Sequence, residues 1–391
     1  MQGHLHKRTH TSKTGKTSTR WYVVFDSGRN ASGKRKQKWH GGFSTRKEAE
    51  VARAKLIADV HDGAYVEPTK LTFEAWIIQR WIPSMKTQLK ASTFDSYKRN
   101  LNNHVIPFLG NTSLTEITPH KLNNLYTELL LNGNKRGGGL SAKTVRYIHT
   151  TLHKALADAK DEGLIRNNPA ERAKPPLLRT SLKKDMNVWD AKTLGQFLEY
   201  TSDERLGPAW HVLAMTGIRR GELLGLRWND IDSEHKRIII RHTLVSVSYQ
   251  IIESTPKNHQ TRIIDIDDST IQILRKQQES QNFDRSNWAS IYADSDLVFS
   301  RENGTPIHPD SLSQSFERAI KRAGAPRIRL HDLRHTHATL AMQAGVPIKV
   351  ISERLGHESP SFTMKQYAHV LPTMQAEAAS IIANLILEQQ Q

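Results

Sequence analysis

Cysteine is absent from the 391 residues. Its absence excludes disulfides, a thiolate nucleophile and zinc held by cysteine, and it fits a reducing compartment. No apolar run approaches the roughly 18 residues that a membrane helix needs, so no span is expected. Met1 to Arg20 is polar and basic and has no apolar stretch of the kind a secretion signal carries. Acidic residues are also scarce, 39 Asp and Glu against 56 Lys and Arg, for a net charge of +17. The imbalance is steepest at the front, where residues 1–68 hold 14 basic and 6 acidic side chains, an excess of +8. Such a surface asks for a polyanionic partner, nucleic acid first. With 37% hydrophobic and 24% charged residues the chain can build ordinary cores, and its length predicts two or three domains.

Three stretches differ in pattern. In the first, Arg20–Ser27 is aromatic and β-branched, a turn is expected at Asn30–Gly33, a basic strand at Lys34–Gly41, and a third strand at His4–His10. Thr45 and Glu48 form a capping box for a helix running to about Asp59, with Ala49, Ala52, Leu56 and Val60 near one stripe. A small sheet packed on one helix follows, and Lys34, Arg35, Lys36 and Lys38 are expected to project from it into a DNA major groove. After a linker at Glu67-Pro68, residues 71–170 read as nearly all helix. Their apolar stripes run through Trp76 and Trp81, Leu101 and Val105, Leu122 and Leu129, and Ile148 and Leu152. The loop Gly133–Gly139 is flexible and basic; Lys135 and Arg136 within it, and Lys143 and Arg146 beyond it, are assigned to DNA contact. Prolines and a polar run at Arg179–Lys184 mark a second linker. Residues 185–391 mix a strand at Lys236–Val247, paired near Arg262–Ile266, with helices near Ala191–Tyr200, Thr270–Gln281, Asp310–Arg322, His331–Ala344, Ile348–Leu355 and Ser361–Val370. The expected architecture is multidomain. It has a small β-sheet plus helix at residues 1–66, an all-α helical domain at 67–178, and a mixed α+β, mainly α, catalytic domain with a tail helix at 179–391.

Five local features fall in order in the last stretch. In Thr216–Glu222, Gly217 frees a turn that presents Arg219 just ahead of a helix. Glu222 reads as a helix-start acid or an orienter of Arg219, since a catalytic anion there would repel a phosphate. Lys257 sits in a turn between strands, within reach of a leaving oxygen. His331 and Arg334 share a helix face at i and i+3, where a guanidinium fork and an imidazole can meet one phosphate. His335 and His337, on the same helix, read as packing residues. Gly356 ends a helix and exposes His357. Tyr367 follows ten residues later. Taken singly, each of these positions has a plain structural reading as surface charge, cap or core. Together, two arginines, two histidines and a lysine about one tyrosine describe a phosphodiester site that needs no metal and no cofactor, because phosphoryl transfer is mostly positioning and charge stabilisation.

In identity, order and spacing, Thr216–Glu222, His331–Arg334, Leu355–His357 and the tyrosine after Thr363 resemble the tyrosine recombinase (phage integrase) family. Residues 185–370 carry the match. Residues 71–175 are similar to that family's helical core-type DNA-binding domain, and residues 1–62 to the arm-binding domain of its larger members. The resemblance implies a nucleophilic Tyr367 that attacks a scissile phosphate, a 3′-phosphotyrosyl link and a departing 5′-hydroxyl. Arg219 and Arg334 would hold the non-bridging oxygens, His331 would take the phenol proton, His357 would add a hydrogen bond, and Lys257 would protonate the leaving oxygen; Lys236 is its rival. It also implies double-stranded DNA with core and arm sites as partner, a homotetramer, a Holliday junction, and DNA-bending and directionality factors. The setting would be the nucleoid of a bacterial cytoplasm. The apolar positions of Ala376–Leu387 suggest an amphipathic tail helix that docks on its own domain or on a neighbour.

Other readings fit less of the chain. His331, His335 and His337 suggest a metal cluster, but Asp332 stands where a zinc-protease pattern needs Glu. A DNA-binding regulator leaves Tyr367 and its cations unexplained. A type IB topoisomerase shares the chemistry but not the three-part layout.

Overall fold

In the computed structural model, residues 3–11, 17–29, 35–61, 70–178, 187–256 and 261–367 are described. The turn expected at Asn30–Gly33, the candidates Lys34 and Lys257, both linkers proper and the tail Ala376–Leu387 lie outside them. The chain divides into two compact units, Met1–Arg179 and Thr180–Gln391.

The first unit begins with an antiparallel sheet in the order β1 (His4–Thr11), β2 (Thr17–Arg29), β3 (Arg35–Phe43). Its register runs from His4 opposite Val24 to Thr11 opposite Thr17, and then from Val23 opposite His40 outward. The basic strand thus runs two residues past the expected Gly41, to Phe43. Val23, Val24 and Phe25 of β2 are buried, as is Ala49 of helix α1 (Arg46–His61), which packs against that strand. That helix starts at a reciprocal cap: Thr45 Oγ1 accepts from Glu48 N at 3.2 Å, and Glu48 Oε2 accepts from Ser44 N at 3.0 Å.

The helical part comprises α2 (Phe73–Trp76), α3 (Ile82–Met85), α4 (Ala91–Asn100), α5 (Ile106–Leu109), α6 (Pro119–Asn132) and α7 (Ala142–Asp161). Two π turns, Ile77–Trp81 and Leu101–Val105, join α2 to α3 and α4 to α5. Each comes just before a proline, Pro83 or Pro107. A proline has no N–H and crowds the carbonyl four residues back, and a widened turn accommodates both problems. The expected stripes meet in one core, with Phe73, Trp76, Trp81, Leu101, Leu122, Ile148 and Leu152 almost solvent-free. Each such large side chain contributes about 1.5–3 kcal/mol of transfer free energy before ordering entropy. Thr118 and Ser141 cap α6 and α7 through their hydroxyls.

The second unit opens with α8 (Ala191–Tyr200), α9 (Gly207–Thr216) and α10 (Arg220–Leu224). Five short strands follow: β4 (Ile231–Asp232), β5 (Arg237–Ile240), β6 (Thr243–Val247), β7 (Gln250–Ser254) and β8 (Arg262–Asp265). The single strand expected at Lys236–Val247 is in fact two. β5 lies between β4 and β8, whereas among the described residues β6 pairs only with β7. Alternation of side chains carries no information about a strand's partner, so a switch of sheet is invisible to it. Then come α11 (Asp268–Trp288), α12 (Pro309–Ala323), α13 (Asp332–Gln343), α14 (Ile348–Leu355) and α15 (Pro360–Tyr367). Rings of Trp189, Phe197, Trp210 and Phe316 knit the main core. A smaller core of Ala338, Met342, Ile351, Leu355 and Tyr367 holds α13, α14 and α15 together. No helix among the described residues is long and apolar enough to cross a membrane.

Candidate active site

The chain leaves α9 through Gly217, whose φ of 65° is left-handed. A Cβ there would lie 2.7 Å from Leu355 Cδ2 and 2.8 Å from His337 Cδ2, so only glycine fits. Two residues on, Arg219 caps α10. Glu222, one turn into that helix and 1% exposed, reaches back to it: Arg219 N donates to Oε2 at 2.9 Å and Nη1 to Oε1 at 2.8 Å. Burial alone would raise the Glu222 pKa. The hydrogen bonds and charge of Arg262, then those of Arg219, overcome that and pull it down to about 2. Glu222 is therefore an anion that orients cations.

The other site residues gather on α13, α14 and the turn after α14. Arg334 is buried, at 4% exposure, and spends two guanidinium nitrogens on carbonyls, Nη1 to Gly217 O at 2.7 Å and Nη2 to Leu355 O at 2.6 Å. Burial, and after it the charge of Arg219, pushes its pKa down to about 9, which leaves it cationic at neutral pH. Arg219 Nη2 donates to Gly356 O at 2.9 Å. Gly356 ends α14 with a left-handed φ of 62°, which turns His357 back toward both arginines. His357 Nδ1 lies 2.6 Å from Thr363 Oγ1. Burial and then Arg334 and Arg219 drive its pKa down to about 3, so the ring is neutral. His331, at the N-cap of α13, keeps part of its ring in solvent; packing on its other side, then His335 and Arg334, hold it below the usual histidine range.

Tyr367 ends α15 with 0% exposure. Its hydroxyl lies 2.8 Å from His335 Nδ1. Burial raises the phenol to about 12, against the opposing charge of Arg334. The partner of the phenol is thus His335, which reasoning from sequence set aside as packing. The usable signal was its spacing: one turn beyond His331, the two rings meet edge to face at 5.1 Å. His337 Nδ1 is 2.8 Å from Ala214 O, and this ring backs the Gly217 turn. Arg262, also unmarked in the sequence, binds Glu222 with both terminal nitrogens, at 3.1 and 2.6 Å.

Arg219, Arg334 and His357 are therefore brought to one helix end, with His331, His335 and Tyr367 alongside. Lys257 is not described. Its rival Lys236 pairs with Asp268 at 2.7 Å and has a left-handed φ of 54°. Among the residues assigned to DNA, Arg35, Lys36 and Lys38 lie on β3. Lys135 Nζ donates to Asn103 Oδ1 at 3.0 Å in the loop after α6, and Arg136 N donates to Asn134 Oδ1 at 3.0 Å. Lys143 is exposed on α7, while Arg146 Nη1 is engaged by Pro176 O at 3.1 Å.

The phage integrase family model matches residues 184–374. The phage integrase N-terminal SAM-like domain matches 72–130, and an arm DNA-binding domain matches 10–60. The chain belongs to the phage integrase family. Among relatives, it is 27% identical to a tyrosine recombinase XerC-like protein of Caldanaerobacter subterraneus, over 97% of this chain and 100% of that one. It is 28% identical to the ICEBs1 integrase of Bacillus subtilis, over 88% and 91% of the two chains. The fold is that of the Tn1549 transposon integrase, solved with circular intermediate DNA (TM-score 0.61, 21% identity, 78% of this chain and 98% of that one). It is also that of a lambda integrase tetramer bound to a Holliday junction (TM-score 0.56, 17% identity, 91% and 93%).

Proposed function

We propose that this chain is the integrase of a mobile element, which cuts and rejoins DNA through a covalent bond to Tyr367. The observation that carries the reading is the gathering of Arg219, Arg334 and His357 at the end of α14 beside that tyrosine. A scissile phosphate seated there meets two guanidinia aimed at its non-bridging oxygens and a neutral imidazole. Such preorganised donors stabilise charge that develops in the transition state, and each is worth about 10²–10³ in rate. The Tyr367 oxygen bonds to phosphorus as the bond to the 5′-oxygen breaks. His331 takes the phenol proton and Lys257 gives one to the 5′-oxygen. The phosphodiester energy is kept in the phosphotyrosyl bond, so no ATP is consumed. A 5′-hydroxyl from the partner strand reverses the step.

Tyr367 has no exposed surface in the fold described here. Attack therefore requires its hydroxyl to part from His335 and turn to the phosphate. Four protomers act together at a Holliday junction, as in the lambda integrase assembly. Residues 1–66 bind arm sites through the basic strand β3. Residues 67–178 hold the core site with Lys135, Arg136, Lys143 and Arg146, and residues 179–391 perform the chemistry. Two DNA segments held at once raise the local concentration of each for the other. The setting is the bacterial nucleoid, with DNA-bending and directionality factors as further partners.

The test is a duplex carrying the attachment site and nicked near the cut, so that the cleaved end diffuses away. The full chain should accumulate a covalent adduct resistant to boiling in detergent. Tyr367→Phe should give none; an adduct formed by that variant rules out this nucleophile.

A further inference from the structure

Helix α14 ends in three consecutive carbonyls, and each is taken by a different arginine. Arg262 Nε donates to Arg354 O at 3.0 Å, Arg334 Nη2 to Leu355 O at 2.6 Å, and Arg219 Nη2 to Gly356 O at 2.9 Å. The last carbonyls of a helix lack intrahelical donors and form the negative end of its dipole, so cations there are favoured. Two of the three arginines are those proposed to grip the phosphate. The third, Arg262, comes from β8 and sits deeper, with 12% of its side chain exposed against 28% for Arg219.

Charge is the point of this arrangement. Glu222 is the buried anion that orients Arg219. Paired one to one, Arg219 and Glu222 would be neutral, and an entering phosphate would meet a cation whose field was already cancelled. Arg262 supplies the missing charge: both of its terminal nitrogens lie on the carboxylate, so the group Arg219–Glu222–Arg262 is net positive. Gly356 permits the close approach. A Cβ at that position would sit 3.0 Å from Arg262 Cζ and Nη1.

We propose that Arg262 is a positioning residue for strand cleavage, which neutralises Glu222 so that this carboxylate can aim Arg219 without cancelling the charge Arg219 brings to the DNA phosphate. The proposal rests on the phosphotyrosyl reading above. It is tested by single-turnover cleavage of the nicked duplex at saturating full-length protein, with duplex affinity measured alongside. Wild type must first form the Tyr367 adduct; failure there removes the reading and not the role of Arg262. Arg262→Gln should then cleave about 30–100-fold more slowly, while duplex affinity changes less than about threefold, because the loss falls on the transition state. Arg262→Lys, which keeps the charge and loses the fork, should recover about tenfold of that deficit. The double variant Glu222→Gln with Arg262→Gln should cleave within about threefold of Glu222→Gln alone, since no anion remains to be neutralised.

Arg262→Gln that folds and cleaves within about threefold of wild type overturns the proposal. So does a double variant about tenfold slower than Glu222→Gln alone, which would show that Arg262 acts through packing. Should Arg262→Gln not fold, the comparison of the double variant with Glu222→Gln decides alone.

Discussion

Two tyrosines in this chain look alike at close range. Tyr126 on α6 is 2% exposed and its hydroxyl lies 2.7 Å from His149 Nδ1; Tyr367 on α15 is 0% exposed and 2.8 Å from His335 Nδ1. The rings stand 5.6 and 5.8 Å apart. Burial raises both phenols. At Tyr126 nothing opposes it, whereas at Tyr367 the charge of Arg334 does, and that tyrosine stops at about 12. The second pair also stands beside Arg219, His331 and His357, and the first stands in the apolar core of the helical part. A buried tyrosine held by a histidine is thus a packing device by itself. What separates the proposed nucleophile from its double is the set of guanidinia and imidazoles around it.

The largest contrast between the pairs should come from those cations. Arg219→Ala should bind the nicked duplex nearly as wild type does and cleave it about 10²–10³-fold more slowly. Cleavage at the wild-type rate would take Arg219 out of the site and leave Tyr367 no more special than Tyr126.

A middle-sized contrast concerns acid. His211, His331, His335, His337 and His357 of the second unit are held below the usual histidine range, mainly by burial, against His104 and His149 of the first. A group whose folded pKa is depressed stabilises the fold above its unfolded value, near 6.5, and loses that contribution as pH falls through the folded value. For His337 the folded value is about 4. Amides of α13 should therefore lose protection, measured against intrinsic exchange at the same pH, on going from pH 7 to pH 4.5, by on the order of 1–3 kcal/mol of opening free energy, with α7, where His149 is the one histidine so held, less affected. Equal acid sensitivity in the two helices would contradict the burial of neutral imidazoles around the site.

The smallest effect belongs to Tyr126. Tyr126→Phe should lower stability by about 1 kcal/mol in urea titration, through loss of its hydrogen bond, and leave cleavage within about twofold. A large loss of cleavage with the fold intact would tie the helical core to the chemistry in a way no contact here explains.

Much of this was legible in the sequence because the informative features are local. The capping box at Thr45 and Glu48, the apolar stripes through Trp76, Leu101 and Ile148, and the glycine turns ahead of Arg219 and His357 each follow from a few adjacent residues. What stayed hidden depends on distant partners. The run Lys236–Val247 reads as one β stretch, yet its halves join different sheets. The π turns before Pro83 and Pro107 relieve a local clash that periodicity smooths over. His335 reads as a packing residue until α15 lays Tyr367 against it, 32 positions away. Arg262 is one more basic residue in a strand until Glu222, 40 positions earlier, is found buried and in need of a second cation.

The central claim is that these groups exist to put a phosphate on one particular phenol. The most direct test is to trap the adduct on the nicked duplex, digest the protein and the DNA, and locate the remaining nucleotide by mass spectrometry. It should sit on the peptide containing Tyr367. A nucleotide found on any other tyrosine, or on no peptide at all after cleavage has occurred, would contradict the account.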